Sequence, residues 1–358
     1  MKIFRNIIII LVVIAIVALA GGVAFYQYNL TAVSDSEEKV VIGIEQGDSI
    51  PTIAGNLKKN GLIKNEQFFR LYLRMKNIDN LQAATYELSP AMDLDTIIDY
   101  LVNGKKIDPN AFMITFKEGL NMRGIAKAIA ENTANNEEDV FDLLKDQAYI
   151  DTLIDRYWFL TSEIKNSDIY YPLEGYLFTD TYKVTDKDVT VQDLFEMMLQ
   201  EMDKELSKYH EQINQSPYTV HQLLSLASMV ELEGTDADNR KIIAGIFYNR
   251  LANNWPLGSD VTTYYAAKID MSSTRDLSQK ELDSSNPYNT RGPQMEGKIP
   301  VGPIANVGGE SLAAVMNPTD NDYYFFVADK NGKIFFAKNN ADHEKNILSI
   351  KNSGNWIF

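Results

Sequence analysis

The chain has 358 residues, and its 34 basic and 49 acidic side chains leave a formal charge of −15. It contains three histidines and no cysteine, which excludes disulfides, a cysteine nucleophile and thiolate metal ligands. We therefore expect no metal site and no cofactor. The acidic balance argues against a nucleic-acid partner, because phosphate backbones attract clustered Lys and Arg. With 45% hydrophobic residues the chain can bury sizeable cores, and its length suggests roughly two or three domains.

The first 28 residues are typical of a membrane anchor. Lys2 and Arg5 precede an apolar run at residues 7–25, which as a helix of about 1.5 Å per residue nearly spans a hydrocarbon layer of ~30 Å. Positive residues before the span predict a cytoplasmic N-terminus, with the rest of the chain outside the cell membrane. A cleaved signal peptide is the alternative, since residues 18–20 (ALA) resemble a cleavage site. The apolar run continues past that site, so we favour a single-pass, uncleaved anchor.

Two related modules are predicted after a polar tether at residues 29–39. A β-branched run at residues 40–44 predicts a strand, and Asp48 and Ser49 predict the cap of a helix beginning near Ile50. A similar pattern returns 72 residues later, which predicts modules at 40–108 and 109–169, each with a strand and two helices. The repeated positions are Gly47 and Gly119, Ile53 and Ile125, Ala54 and Ala126, Asn60 and Asn132, Glu66 and Glu138, Phe69 and Phe141, and Leu71 and Leu143.

The composition changes near Tyr170, where four tyrosines occur within thirteen residues. Beyond that point the patterns predict helices at 191–209, 219–233 and 238–251. A terminal hairpin is predicted from strands at 323–328 and 333–338, joined by a turn that contains Gly332. The fold class expected for the whole chain is α+β, with a mixed α+β domain over 170–358.

One predicted helix carries a carboxyl group at the end of an apolar stripe. Val220, Leu224, Ala227 and Glu231 fall on one face at helical spacing. A carboxyl against apolar surface loses hydration, which disfavours its charged form and makes it a usable general acid near neutral pH. A half-solvated glutamate in the last turn of an ordinary helix is the alternative. Glu233 lies about 200° further round the helix and is expected to be the more solvated of the two.

This helix and several other segments together resemble one family. The segments are 173–178 (LEGYLF), 226–233 (LASMVELE), 245–251 (GIFYNRL), 257–266 (LGSDVTTYYA), 286–290 (NPYNT), 299–306 (IPVGPIAN) and 317–318 (NP). With the N-terminal anchor and the terminal hairpin, they are similar to the membrane-bound endolytic murein transglycosylases, the MltG or YceG-like family. The similarity covers nearly the whole chain, and the motifs are highly specific in combination.

The resemblance implies a LysM-like α/β module at 40–108 and a transglycosylase catalytic domain at 170–358. It implies cleavage of the β-1,4 bond between N-acetylmuramic acid and N-acetylglucosamine within nascent peptidoglycan strands, which would terminate their elongation. No water is consumed, because the muramic acid's C6 hydroxyl attacks its own anomeric carbon and leaves a 1,6-anhydro end. Glu231 is expected to protonate the leaving oxygen and then to accept the proton of the C6 hydroxyl. Association with peptidoglycan synthases is also implied.

Further side chains are expected to bind the sugars. Short polar groups suit hydroxyls and acetamides, tyrosine rings could stack on pyranose faces, and each of these residues could instead serve as a loop cap or core residue. The candidates are Glu174, Tyr176, Glu233, Ser259, Asp260, Thr262, Tyr264, Asn289 and Thr290. The chain departs from the family pattern at Gly258 (for Gln), Val261 (for Pro), Asn286 (for Ser), Arg291 (for Tyr), Val301 (for Pro) and Val307 (for Pro). Any sugar contact that the family's Gln or Tyr makes is therefore not expected at Gly258 or Arg291 of this chain.

Two other functions remain open at this point. A muramidase would hydrolyse the same bond and normally needs a second carboxylate, for which Glu174, Glu233 and Asp260 are the candidates. Its product would be heavier than the anhydro product by one water. A non-catalytic wall protein that grips glycan through LysM-like modules is the second alternative, and the intact helix that carries Glu231 argues against it.

Overall fold

The computed structural model describes residues 2–104, 108, 111–270 and 276–356. The chain divides into two compact units, residues 1–111 and residues 112–358. At the predicted boundary between residues 108 and 109, residue 109 lies outside the described part. The predicted boundary between residues 169 and 170 separates no units, because strands from both sides of it pair with each other.

The first unit begins with a long apolar helix, α1 (Lys2–Leu30). Its segment Phe4–Leu30, 27 residues long, is the one helix in the described chain that is long and apolar enough to cross a membrane. The most apolar part of this segment is not buried by protein, which is compatible with lipid around it. Near its end, Tyr26 packs against Phe68 with ring centroids 5.5 Å apart. The helix therefore suggests a single-pass anchor that ends against the folded part of its own unit.

Two strands and three helices complete the first unit. They are β1 (Val40–Ile44), α2 (Ile50–Lys59), α3 (Glu66–Met75), β2 (Ala84–Leu88) and α4 (Leu94–Asn103). The two strands pair antiparallel, with Val40 opposite Leu88. Side-chain oxygens of Ser49, Asn65 and Asp93 accept hydrogen bonds from the first turns of the three helices. The apolar faces form one hydrophobic cluster, and the predicted strand at 40–44 and helix from Ile50 are confirmed. A LysM-like identity for this unit stays a prediction.

The second unit begins with a similar order of elements. They are β3 (Phe112–Thr115), α5 (Met122–Asn132), α6 (Glu137–Lys145), α7 (Gln147–Arg156), β4 (Thr181–Val184) and α8 (Val191–Ser207). The strands again pair antiparallel, with Thr115 opposite Thr181. Gly47 and Gly119, which precede the first helix of each copy, both have positive φ values, 96° and 79°, a conformation that favours glycine. Residues 112–169 share one hydrophobic cluster with residues 170–358, so the second copy does not form a separate module.

The remaining elements complete the second unit. They are α9 (His210–Gln215), α10 (Val220–Glu233), α11 (Ala237–Ala252), α12 (Asp260–Ala266), α13 (Gln279–Leu282), α14 (Gly309–Met316), β5 (Phe325–Ala328), β6 (Ile334–Ala337) and α15 (Asn340–Asn352). α10 packs against α11, α12 and α14, and β5 pairs antiparallel with β6. The three predicted helices and the hairpin are confirmed to within two residues at each end. The described chain thus mixes helices with short antiparallel strand pairs, in agreement with the α+β expectation.

Candidate active site

Helix α10 places two glutamates at its C-terminal end. The helix starts at a capping box formed by Thr219 and Gln222, and every residue from 223 to 231 is buried. Because successive residues of a helix turn by about 100°, the side chains of Glu231 and Glu233 leave it in roughly opposite directions. A Cβ atom on Gly234 would lie 2.3 Å from Cγ of Arg240, so glycine allows α11 to start close to the end of α10. The two carboxyl groups therefore meet different neighbours.

Glu231 belongs to an ion-pair cluster with Arg240, Glu310 and Glu118. Arg240 Nη2 donates to Glu231 Oε1 at 2.8 Å, and the backbone N–H of Gly308 donates to Oε2 at 3.0 Å. Arg240 also pairs with Glu310. Burial, with the nearby charge of Glu231, raises the pKa of Glu118. The side chain of Glu231 is only 3% exposed. The expectation of an apolar environment for this carboxyl is wrong, because both of its oxygens are held by donors.

Within the part of the chain that the structure describes, Glu233 accepts one hydrogen bond, from the hydroxyl of Ser259 to Oε1 at 2.5 Å. Burial raises the pKa of Glu233 to about 7. The hydrogen bond from Ser259 and the charges of Arg291 and Arg250 lower this pKa, while the charge of Asp260 raises it further. Glu233 is half-buried whereas Glu231 is buried, so the expectation that Glu233 is the more exposed glutamate is confirmed, although protein packs closely enough around its carboxyl to raise its pKa. Glu233 can therefore hold and release a proton near neutral pH.

A groove of about 690 Å³ opens beside Glu233. Its polar and charged lining includes Glu233, Ser259, Asp260, Arg250 and Arg291, and its aromatic lining includes Trp255, Phe325 and Trp356. Trp255 is 41% exposed and packs against Phe325 with ring centroids 5.9 Å apart. Aromatic walls around a few polar groups suit ligands with both apolar faces and hydroxyls. We call this cavity the groove from here on.

Arg250 joins the two walls of the groove. Its Nε donates to the carbonyl of Tyr324 at 2.8 Å, and its Nη1 donates to the carbonyl of Leu257 at 2.5 Å. Arg250 lies in the GIFYNRL segment, but the sequence predicted no role for it. The aromatic lining was missed as well, because Trp255, Phe325 and Trp356 are far apart in sequence and nothing local marks them as neighbours.

Three of the predicted sugar-binding residues lie behind the groove instead of in it. Thr262 Oγ1 donates to the carbonyl of Ser259 at 2.7 Å, and the backbone N–H of Ser259 donates to Thr290 Oγ1 at 3.0 Å. Asn289 Oδ1 accepts from Thr263 Oγ1 at 2.6 Å. Thr262, Asn289 and Thr290 are fully buried. Thr262 and Thr290 therefore hold the backbone of Ser259, which in turn contacts Glu233, while Asn289 holds Thr263 on the same helix.

Asp260 and Arg291 form an ion pair at the rim of the groove. Both side chains are exposed, and both line the cavity beside Glu233. The arginine that replaces the family's tyrosine thus pairs with one of the predicted binding residues. Tyr264, half-buried on α12, is not among the described residues that line the groove.

Glu174 and Tyr176 are interior residues. Glu174 is 1% exposed, and it accepts hydrogen bonds from the Met122 N–H at 2.9 Å, the Tyr265 hydroxyl at 2.9 Å and Asn306 Nδ2 at 3.2 Å. Burial raises its pKa to about 7. The ring of Tyr176 is fully buried, and its hydroxyl is hydrogen-bonded to His221 Nδ1 at 2.8 Å. Stacking of Tyr176 on a pyranose is therefore excluded.

No group of three or more His, Cys, Asp or Glu side chains in the described residues is arranged to hold a metal ion. The chemistry available in the groove is that of carboxyl, hydroxyl and guanidinium groups and the imidazole of His343, beside aromatic rings. An enclosed carboxyl in an aromatic groove is typical of proteins that act on carbohydrates.

Comparison with known proteins identifies the family. Residues 42–349 match the YceG-like family, and the chain belongs to it. It is 37% identical over 328 residues to the endolytic murein transglycosylase of Bacillus subtilis, covering 91% of this chain and 89% of the relative. It is 33% identical to the enzyme of that name from Streptococcus pneumoniae, of which it spans 63%. A solved yceG-like protein of Listeria monocytogenes aligns with a TM-score of 0.60 and 33% identity, covering 87% of this chain and 99% of the other.

Proposed function

We propose that this protein is an endolytic lytic transglycosylase of peptidoglycan. It cleaves the β-1,4 bond between N-acetylmuramic acid and N-acetylglucosamine inside a glycan strand and leaves a 1,6-anhydro end. The relatives named endolytic murein transglycosylase support this function, since they match over nine-tenths of the chain. The observation that carries it is the carboxyl of Glu233, with a pKa of about 7, in the aromatic groove.

One carboxyl group is sufficient for this reaction. Protonated Glu233 donates its proton to the glycosidic oxygen, and the bond from that oxygen to the anomeric carbon breaks. The C6 hydroxyl of the muramic acid then attacks the same carbon, and the Glu233 carboxylate accepts the hydroxyl proton. General acid–base assistance contributes about 10²–10⁴-fold to the rate. Positioning of the intramolecular nucleophile supplies a further large factor.

The surroundings of Glu233 suit both halves of this cycle. Burial favours the protonated form that the first step needs. The Ser259 hydroxyl and the charges of Arg250 and Arg291 favour the carboxylate that remains after proton transfer. These opposed influences leave the pKa of Glu233 near neutral pH, where a group is most effective as acid and base in turn.

Glu231 remains the alternative acid, as the sequence predicted. Its position on the same helix is compatible with that role, but its two oxygens are already bound to Arg240 and Gly308. We therefore propose that Glu233 is the proton donor and that Glu231 positions the end of α10. Matched Gln variants of the two residues distinguish these assignments.

The muramidase alternative is favoured by one observation, the position of Asp260 in the same groove as Glu233. A second carboxylate there could activate water. The deciding experiment is digestion of purified glycan strands by the full chain in detergent, with mass spectrometry of the products. We expect anhydro ends, lighter by one water than hydrolysis products. Products with reducing ends from the parent, and none from Asp260→Asn, would establish the hydrolase instead. Strands that the protein binds but does not cut would establish a glycan-binding protein.

We further propose that the anchor holds the N-terminus in the cytoplasm and the groove outside the membrane. Lys2 and Arg5 before the apolar segment support this orientation. The first unit would then act as a LysM-like grip on the strand, and the enzyme would work beside peptidoglycan synthases to end strand elongation. Protease added to intact spheroplasts should digest the second unit, and protection of that unit would reverse the orientation.

A further inference from the structure

A second cavity, of about 570 Å³, lies next to the groove. Val261 lines both cavities, so they share a wall at the start of α12. Leu232 lines the second cavity, while the next residue, Glu233, lines the groove. The two cavities therefore adjoin at Val261 and at the end of α10.

Three cations line the second cavity, although the chain as a whole carries a charge of −15. Arg123 and Lys127 lie one turn apart on α5, and Lys268 follows α12. Arg123 makes no hydrogen bond or ion pair with the described residues. Lys127 has only a loose pair with Glu131 at 3.9 Å, and Lys268 Nζ lies 4.4 Å from the ring centre of Tyr170. These cations are therefore available to an anionic ligand.

The cavity also carries acidic and apolar groups. Glu137 and Asp270 lie on its lining, and Leu120, Leu232 and Ile304 supply apolar surface. This combination suits a short peptide with carboxylates, an amine and small apolar side chains better than it suits a neutral sugar or a simple polyanion. A peptidoglycan strand carries such a peptide on the lactyl group of each muramic acid.

We propose that the second cavity binds the stem peptide of the muramic acid whose glycosidic bond lies at Glu233, with Arg123 and Lys268 as carboxylate ligands. This inference rests on the proposed function. It makes the enzyme selective for strands that still carry peptides, as newly made strands do. The glycan occupies the groove, and the peptide branches over Val261 into the second cavity.

The experiment compares peptide-bearing strands with strands stripped of peptide by an amidase. The proteins are the parent, Arg123→Gln, Lys268→Gln and the double variant, with Lys183→Gln, an exposed lysine on β4, as control. Loss of a charge-assisted contact should raise KM for peptide-bearing strands by about 10-fold per variant, with kcat unchanged. KM for stripped strands should stay at the parent value in every variant.

The substrate comparison keeps the outcomes distinct. Equal KM values of the parent for the two substrates would overturn the peptide site, and so would a rise in KM that is the same for both. A parent that cuts stripped strands but shows no variant effect refutes this inference and leaves the proposed function intact. A parent that cuts neither substrate refutes the proposed function itself.

Discussion

The last turn of α10 separates two regions in which the same residue type has different surroundings. In the ion-pair cluster, Glu231 has one oxygen on Arg240 and the other on a backbone N–H that precedes α14. In the groove, Glu233 has one neutral hydroxyl donor and an open cavity in front of it. A carboxyl with both oxygens occupied ties segments together, whereas an enclosed carboxyl beside a cavity can exchange a proton with a ligand. Although Glu231 and Glu233 are only two residues apart, the surroundings of Glu231 suit a structural role and those of Glu233 suit a chemical one.

The largest effect is expected at Glu233. Glu233→Gln keeps the size of the side chain but cannot deliver a proton, so strand cleavage should fall by about 10²–10⁴-fold. The control is Glu344→Gln, since Glu344 is an exposed glutamate that lines the same groove. The measurement is the rate at which anhydro ends appear. Cleavage by Glu233→Gln at the parent rate would remove Glu233 from the chemistry.

A variant of Glu174 tests whether a raised pKa is sufficient for catalysis, because the pKa of Glu174, like that of Glu233, is about 7. Its pKa is about 7 in the folded protein against an ordinary value of 4.5, so the unfolded chain releases this proton first as pH rises. Its contribution to stability is full below about pH 4.5 and is lost between pH 4.5 and about 7, on the order of 3 kcal/mol. Glu174→Gln should reduce this slope in denaturant titrations and leave the cleavage rate per folded molecule near the parent value. An unchanged slope would contradict the prediction.

Glu231→Gln tests the structural side of the comparison. The amide no longer neutralises the partly buried Arg240, so the free energy of unfolding should fall by about 1–3 kcal/mol while the folded fraction still cleaves strands. Glu310 is the exposed partner of Arg240, so Glu310→Gln should lower the free energy of unfolding by less than about 1 kcal/mol. Denaturant titration and activity at matched folded concentration provide the two measurements. Loss of cleavage with unchanged stability would restore Glu231 as the acid.

The smallest effect concerns the two neighbours that set the pKa of Glu233 in opposite directions. Ser259→Ala removes a hydrogen bond that lowers this pKa, so the alkaline limb of the pH–rate profile should move to higher pH by about one unit or less. Asp260→Asn removes a charge that raises it, so the same limb should move to lower pH. Shifts of the same sign in both variants would contradict the assignment of Glu233 as the acid.

Local patterns predicted the helices and hairpin well, but they could not choose between the two glutamates. The apolar stripe identified α10 correctly. The partners that distinguish Glu231 come from α11 and from the residue before α14, and their approach depends on tertiary packing. The prediction that Tyr176 stacks on a sugar is wrong for the same reason. A loop rich in Gly and Pro gives no sign that the ring of its tyrosine is covered by Phe159 and His221. The repeat predicted β3, but its partner β4 lies beyond the predicted boundary.

The pairing of β3 with β4 has a consequence for how the chain is made. Thr115 and Thr181 are 66 residues apart, and the three helices between them, α5, α6 and α7, pack into the same hydrophobic cluster. During synthesis from the N-terminus, β1 can pair with β2 once residue 88 has emerged, whereas β3 must wait for residue 184. Until then β3 is an unpaired strand edge, the kind of surface that aggregates or recruits chaperones. The interval in which the nascent chain is most exposed to aggregation should therefore fall between the emergence of these two strands.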